Sequence, residues 1–247
     1  MTRKRLRVPV EDLRHGALKL TGEAARYVAR VHRVTVGDRL VVFDPEAVIE
    51  ADAEVVRVGR DEVDLRAEPP RPAARPRRLV TLIQGIGKGD KMDAVVRDAT
   101  ELGATRIVPA LAERSVSRPT GAPRADRWRR IAVEAARQCG RGDAPTIEPL
   151  MSFGEAFRRF APAVALGGAG LCLDPSSSAP IGRAFRRLTV DAEATFAVGP
   201  EGGFVEEELA EAVQAGFERV TLGALVLRTE TVCAAVLGAL LALEHEA

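Results

Sequence analysis

Cysteine is scarce in this 247-residue chain, and metal-ligand spacing is missing from it. The three cysteines, Cys139, Cys172 and Cys233, are an odd number without a Cys-x-x-Cys pair, which excludes a disulfide framework and a zinc ribbon. His15, His32 and His245 are scattered, so no metal site is expected. The longest nearly uninterrupted apolar run, Thr231 to Leu243, is too short to cross a bilayer. The basic start Met-Thr-Arg-Lys-Arg-Leu has no apolar stretch behind it, so no secretory signal is read and a soluble cytoplasmic protein is expected. Gly-x-Gly-x-x-Gly, the Walker loop and Gly-x-Ser-x-Gly are all absent, which disfavours phosphate cradles and a nucleophile elbow. What is present is an ordinary globular composition, 46% hydrophobic and 29% charged, long enough for one or two domains with real cores.

The net charge of +1 hides an uneven distribution. Residues 1–39 carry +6, residues 113–141 carry +5, and residues 142–247 carry −8. Two basic zones on a neutral chain fit a local footprint for a polyanion. A solvated surface in an arginine-rich chain reads equally well, since only four of the 36 basic residues are lysine.

Residues 71–78, in the stretch Pro69-Pro-Arg-Pro-Ala-Ala-Arg-Pro-Arg-Arg78, read as a linker, because its prolines cannot continue a helix or a central strand. Before it, short β-rich runs between turn signals (Arg5–Val10, Ala17–Leu20, Arg39–Phe43, Ile49–Val58, Glu62–Leu65) suit a small barrel over residues 1–70, with one helix from Gly22 to His32. From 79 to 247 the pattern alternates. Strands are predicted at Leu79–Ile86, Arg106–Pro109, Gly170–Leu173, Ala194–Val198 and Val220–Leu222. Helices are predicted at Asp90–Leu102 and Arg124–Arg141, and from Val205 and Thr229. Alternation of this kind predicts an α/β domain with a largely parallel sheet.

Two segments carry chemistry. Phe196-Ala-Val-Gly-Pro-Glu-Gly-Gly-Phe204 is a strand running through a glycine turn into a helix, where backbone can approach a ligand. Glu201, Glu206, Glu207 and Glu208 would repel a phosphate there, so a ligand with hydroxyls, an adenine and a positive centre fits better. Leu222-Gly-Ala-Leu-Val-Leu-Arg-Thr-Glu-Thr231 places Arg228 between an apolar loop and an apolar helix. That position predicts partial burial and a partner, either Glu230 or a ligand. On the helix 124–141, Trp128, Ile131, Ala132, Ala135, Ala136 and Cys139 form the stripe expected to be buried. Arg127, Arg130, Arg137 and Arg141 line another face.

Taken together these segments resemble the bacterial 16S ribosomal RNA uridine-N3 methyltransferases, the RsmE family of the SPOUT, or trefoil-knot, superfamily. The resemblance runs nearly end to end through Arg30-Val-His-Arg-Val-Thr-Val-Gly-Asp38, Gly87-Lys-Gly-Asp-Lys91, Thr100-Glu-Leu-Gly103, Glu113-Arg-Ser-Val116 and the Arg127–Arg141 helix. Gly199-Pro-Glu-Gly-Gly203 followed by Leu222-Gly … Val226-Leu-Arg-Thr-Glu-Thr231 is its specific part. It departs from the family pattern at Arg26-Tyr27, where a His pair is usual, at Ala224 and Leu225, and at Val205, where a helix cap is usual.

The resemblance implies a PUA-like β-barrel followed by a trefoil-knotted α/β domain that forms a homodimer. It implies S-adenosyl-L-methionine bound by three loops: Leu173, Asp174 and Pro175; Gly199, Pro200, Glu201, Gly202 and Gly203; and Leu222, Gly223, Val226 and Leu227. The implied partner is 16S ribosomal RNA in the small ribosomal subunit, gripped by Arg5, Arg30, Arg33, Lys88, Arg114, Arg127 and Arg141. Uridine N3 must lose its proton before it can attack a methyl group, so Arg228 is nominated to stabilise the uridine anion, with Glu230 orienting it. Glu201 is a weaker candidate for accepting the proton or touching the cofactor. A ribosomal-RNA-binding module without catalysis, and a nucleotide-dependent enzyme on a Rossmann sheet, stand as the competing readings.

Overall fold

The structure is a computed structural model that describes residues 6–114, 122–161, 167–189 and 192–244. Two compact units emerge, one of residues 1–75 with 133–144 and one of residues 76–132 with 145–247.

The first unit holds strands β1 (Arg7–Pro9), β2 (Gly16–Thr21), β3 (Arg39–Asp44), β4 (Ile49–Val58), β5 (Glu62–Ala67) and β6 (Arg71–Pro72). They form one sheet in the order β1-β3-β4-β5-β2, with β6 on β4, and every pairing but β1–β3 is antiparallel. Alternation sends Ala51, Ala53 and Val55 of β4 and Val63, Leu65 and Ala67 of β5 into one core with Val8, Leu20, Leu40 and Val42. The expected helix is cut in two: α1 (Gly22–Arg26) passes into a π-turn at Tyr27–Val31. The proline-rich stretch is no free tether at its start. Proline is tolerated at sheet edges, and β6 pairs there, with Ala73 N–H donating to the Val48 carbonyl.

The second unit holds β7 (Val80–Gly85), α2 (Lys91–Glu101), β8 (Arg106–Leu111), β9 (Thr146–Ile147), β10 (Met151–Ser152), α4 (Phe153–Arg159), β11 (Ala169–Leu173), α5 (Ile181–Phe185), β12 (Ala194–Val198), α6 (Glu206–Gln214), β13 (Phe217–Val220) and α7 (Thr229–Glu244). Helix α3 (Ala122–Cys139) begins in this unit, and its residues from 133 onward belong to the first. All strand pairings are parallel, in the order β10-β8-β7-β12-β11-β13 with β9 on β8. The central strands β7 and β12 are buried throughout, as strands covered on both faces must be. Met92, Val95, Val96 and Ala99 are the buried face of α2, which packs on α7. Gly103, in the left-handed region at φ 94°, ends that helix.

Two expectations need correcting. The last strand is Phe217–Val220, earlier than the predicted Val220–Leu222, because its middle residues Glu218 and Arg219 are only half-buried on a sheet edge and mask the apolar signal. Cys139 is exposed instead of closing the buried stripe, whose Trp128, Ala132, Ala135 and Ala136 are buried. Among the described residues no helix is long and apolar enough to cross a membrane.

Candidate active site

The carboxyl ends of β11, β12 and β13 open into a cavity of about 760 Å³, inside the range usual for small-molecule sites. Its wall is three loops. Leu173, Asp174 and Pro175 follow β11; Gly199, Pro200, Glu201, Gly202 and Gly203 follow β12; Leu222, Val226 and Leu227 follow β13, with Arg228 beside them. The structure therefore brings together all the residues nominated for cofactor contact except Gly223, which is not part of the wall. Gly223 adopts φ 152° and bonds through its N–H and carbonyl to Thr221 Oγ1, so it shapes the bend.

Each loop is held by side chains. Asp174 is buried and accepts from the Ser176 N–H at 2.9 Å, from Ser176 Oγ and from Arg219 Nε at 2.9 Å. Burial alone would raise its pKa, but the Ser176 bonds and the Arg219 guanidinium outweigh it and hold the carboxyl below its ordinary value. Arg219 also pairs with Glu206 at 2.7 Å, tying the first loop to the start of α6. The glycine turn is seated by Phe204, whose ring packs edge-on against Phe153 at 4.8 Å. It also lies against β7: a Cβ on Gly85 would stand 2.4 Å from Pro200 N. Val205 offers no capping side chain, and Glu208 instead accepts from the Val205 N–H at 3.0 Å.

The third loop returns from the edge strand β13 across β11 and β12 to β7. Thr229, at the start of α7, is buried there. Its hydroxyl accepts from Gln84 Nε2 and donates to the Gly199 carbonyl, both at 2.8 Å, which locks the residue after Arg228 to the cofactor-side turn.

Beside this lies a charged cluster. Lys91, at the first turn of α2, pairs with Glu201 at 2.7 Å and with Glu230 at 3.8 Å. Burial pushes the Glu201 pKa up, but the Lys91 ammonium and the Glu201 and Lys88 backbone N–H groups hold it below the usual carboxylate value. That makes Glu201 a weaker proton acceptor and favours the other role offered for it, contact with a cofactor in the cavity it lines. Glu230 faces Lys91 and not Arg228, so it does not orient the arginine, and it is not part of the cavity wall. Arg228 itself is exposed rather than partly buried, because the apolar loop before it is exposed too, with Leu225 and Val226 about 80% accessible. Its guanidinium has no hydrogen-bond or ion-pair partner among the described residues, although its backbone carbonyl accepts from the Val232 N–H.

The nominated RNA contacts divide. Arg5 lies outside the described residues. Arg30, Arg33 and Lys88 are exposed. Arg127 is engaged by Asp93, and Arg114 lines the cavity, donating at 3.3 Å to the Gly202 and Phe204 carbonyls. Arg141 is buried and bound by Asp143 at 2.8 and 2.9 Å, so it cannot grip a polyanion. Lys91, Phe204, Arg219 and Thr229 were not singled out from the sequence. Of these, Lys91 and Thr229 lie within the resembling motifs and Phe204 closes the glycine-turn segment, while Arg219 carried no signal. Among the described residues no cluster of His, Cys, Asp or Glu could hold a metal ion.

A cavity walled by three loops at the carboxyl ends of a parallel sheet, closed by a chain that returns across its own strands, in a chain that also carries a PUA-like unit, is that of an RNA methyltransferase of the trefoil-knotted SPOUT class. The family model described as an RNA methyltransferase domain matches residues 74–241, and that for an RNA methyltransferase PUA domain matches residues 20–68. The ribosomal RNA small subunit methyltransferase E of Mycobacterium tuberculosis is 34% identical over 88% of this chain and 83% of its own length. That of Synechocystis sp. is 32% identical over 92% of this chain and 73% of its own. The crystal structure of the Neisseria gonorrhoeae enzyme of that name, bound to S-adenosyl methionine, superposes with a TM-score of 0.87 at 30% identity, covering 97% of this chain and 98% of that one. The chain belongs to the ribosomal RNA small subunit methyltransferase E family.

Proposed function

We propose that the protein methylates N3 of a uridine in 16S ribosomal RNA with S-adenosylmethionine as donor, acting as a homodimer on the small ribosomal subunit in the cytoplasm. The observation that carries this reading is an unpartnered arginine, Arg228, at the mouth of a cavity that suits a cationic cofactor. Three carboxylates line that cavity, Asp174, Glu201 and Glu206, so a nucleotide phosphate meets repulsion there while a sulfonium does not. Gly199 and Gly202 of the turn have little room for a side chain and Gly203 adopts φ 67°, which leaves backbone N–H and C=O groups to read an adenine.

Leu173–Pro175, Gly199–Gly203 and Leu222–Leu227 would hold the cofactor, with Arg114 and Phe204 keeping the middle loop in place. When bound, the cofactor supplies an electrophilic methyl carbon on a sulfonium. Arg228 holds the uracil O2 or O4 as negative charge develops after N3 loses its proton, which leaves through the open mouth to water. Thr229 fixes the backbone of that arginine relative to the turn, so orientation is set before substrate arrives.

Calorimetric titration of wild type and Arg228→Ala with S-adenosylmethionine, beside methyl transfer into small ribosomal subunits, tests the assignment. Turnover should fall about 100- to 1,000-fold, the usual cost of losing one preorganised charge-stabilising donor, with cofactor affinity nearly unchanged. Equal loss of both would make Arg228 a structural residue.

A further inference from the structure

The chain's single tyrosine lies in the π-turn of the first unit, in a cluster that the site above does not use. The Arg137 guanidinium covers one face of the Tyr27 ring, 4.1 Å from its centroid. His32 meets the same ring edge-on, with centroids 4.6 Å apart and planes at 63°. Tyr27 Oη and His32 Nε2 are hydrogen-bonded at 2.5 Å. Tyr27 is therefore sandwiched, while the His32 imidazole is exposed and fixed in orientation by both contacts.

The backbone around this ring is unusual in two ways. A π-turn widens the helix at Tyr27–Val31, and wide turns of this kind recur at functional sites. Arg33, directly after His32, adopts φ 51° in the left-handed region, which a side chain rarely takes without a reason. Val31 and Val36, next to His32 and four residues after it, are exposed at 67% and 65%, and Arg26, Arg30 and Arg33 on the same stretch of chain are exposed and positively charged. The acidic groups of the cluster are Asp61, 3.5 Å from Arg30 in an exposed pair, and Glu134, which pairs with Arg137. Glu23 is in the preceding helix turn.

We propose that His32, held by Tyr27 and Arg137, is a stacking subsite for one unpaired base of the RNA. A fixed aromatic face flanked by arginines is the arrangement by which proteins take a base that has left its stack, with the cations on the adjoining phosphates. A duplex offers no free base face, so the subsite selects single-stranded or looped RNA. The proposal rests on the reading that RNA is the substrate.

Fluorescence anisotropy of the full-length protein with a labelled single-stranded oligouridylate, over a salt series, tests it. His32→Ala should weaken binding roughly fivefold or more, the lower end of what one base–aromatic stack contributes. The slope of log affinity against log salt should stay unchanged, because no phosphate contact is lost. His32→Phe should restore affinity, whereas Arg30→Ala should reduce the slope by about one. Wild-type affinity in His32→Ala, with the salt dependence of the parent intact, overturns the subsite and leaves the RNA reading standing. Absence of RNA binding by the parent protein itself overturns both. S-adenosylmethionine titration of each variant should match the parent, which shows that the fold is retained.

Discussion

Gly85 is the position where the smallest chemical change should do the most damage to the site. It ends β7 directly beneath the cofactor-side turn. A Cβ there would lie 2.4 Å from Pro200 N, 2.7 Å from Pro200 Cδ and 2.8 Å from the Gly199 carbonyl carbon. Ordinary contact begins at 3.4 Å, so Gly85→Ala forces the turn and the strand apart by about 1 Å. The strand cannot yield, because β7 is buried and paired on both sides, to β8 and to β12. The turn must move instead, against the grip of Phe204, Arg114 and Thr229 on its far side.

Overpacking of this kind costs about 1–3 kcal/mol, which for a chain of this size lowers Tm by roughly 2–4 °C per kcal/mol. A displacement of about 1 Å in reacting groups costs on the order of 100-fold in rate, so turnover should fall more than stability suggests. Thermal melting, S-adenosylmethionine calorimetry and methyl transfer on the same preparation measure all three effects. Gly202→Ala, whose Cβ would meet Arg114 Cβ at 2.9 Å, should show the same pattern more weakly. A Gly85→Ala protein that melts with the parent and binds cofactor with parental affinity would refute the close packing of turn on strand.

Two further outcomes follow from the charged groups. Lys91→Met frees Glu201 from its ammonium partner, and as the pair is about one-third exposed the stability change should be small. Glu201 is held below its usual value in the parent, so the variant should begin losing cofactor affinity at a higher pH on acidification, measured by calorimetry from about pH 7 to pH 4. Arg219→Met leaves Asp174 buried with only its Ser176 bonds and should destabilise by about 1–3 kcal/mol at neutral pH. Because the Asp174 pKa is depressed on folding, its contribution is complete above the ordinary value of 3.8 and is lost as pH falls through the folded value. The gap between parent and variant in denaturant titrations should therefore narrow toward pH 3.

The elements readable from sequence were those whose signal is local. The apolar spacing of α2, the apolar run of β7 and the strand–glycine turn–helix at 194–206 each depend on neighbours a few residues away. Helix α4 passed unanticipated, although Ser152 caps it and Phe153 and Phe157 anchor it, because two-residue strands precede it and give no periodicity to frame it. The π-turn at Tyr27–Val31 was invisible for a related reason: it inserts into a helical pattern without altering which residues are apolar. The side chains that hold the site were out of reach, since Arg219 meets Asp174 across 45 positions and Lys91 meets Glu201 across 110. Only the strand order, which crosses from β12 to β7 and from β13 to β11, makes them neighbours. Arg141 shows the converse error. Its place in a basic stripe suggested solvent, yet α3 ends at Cys139 and Asp143 closes on the guanidinium just beyond it.

The acids of the C-terminal part that lie near the cavity have local partners, and that strengthens the case for Arg228. Asp174 and Glu206 share Arg219, and Glu201 and Glu230 share Lys91. Each pair of carboxylates thus shares one cation drawn from outside the three loops and keeps a net negative charge. Arg114 spends its guanidinium on two carbonyls of the turn. Arg228 alone among the described cations of the cavity wall has no partner, while its backbone is pinned through Thr229. An arginine that folding leaves uncompensated, on a rigid anchor at an open mouth, is suited to a negative charge that exists only while substrate reacts. Had Glu230 oriented it, as the sequence led one to expect, that charge would already be partly cancelled. Glu230 is instead turned to Lys91, at 3.8 Å.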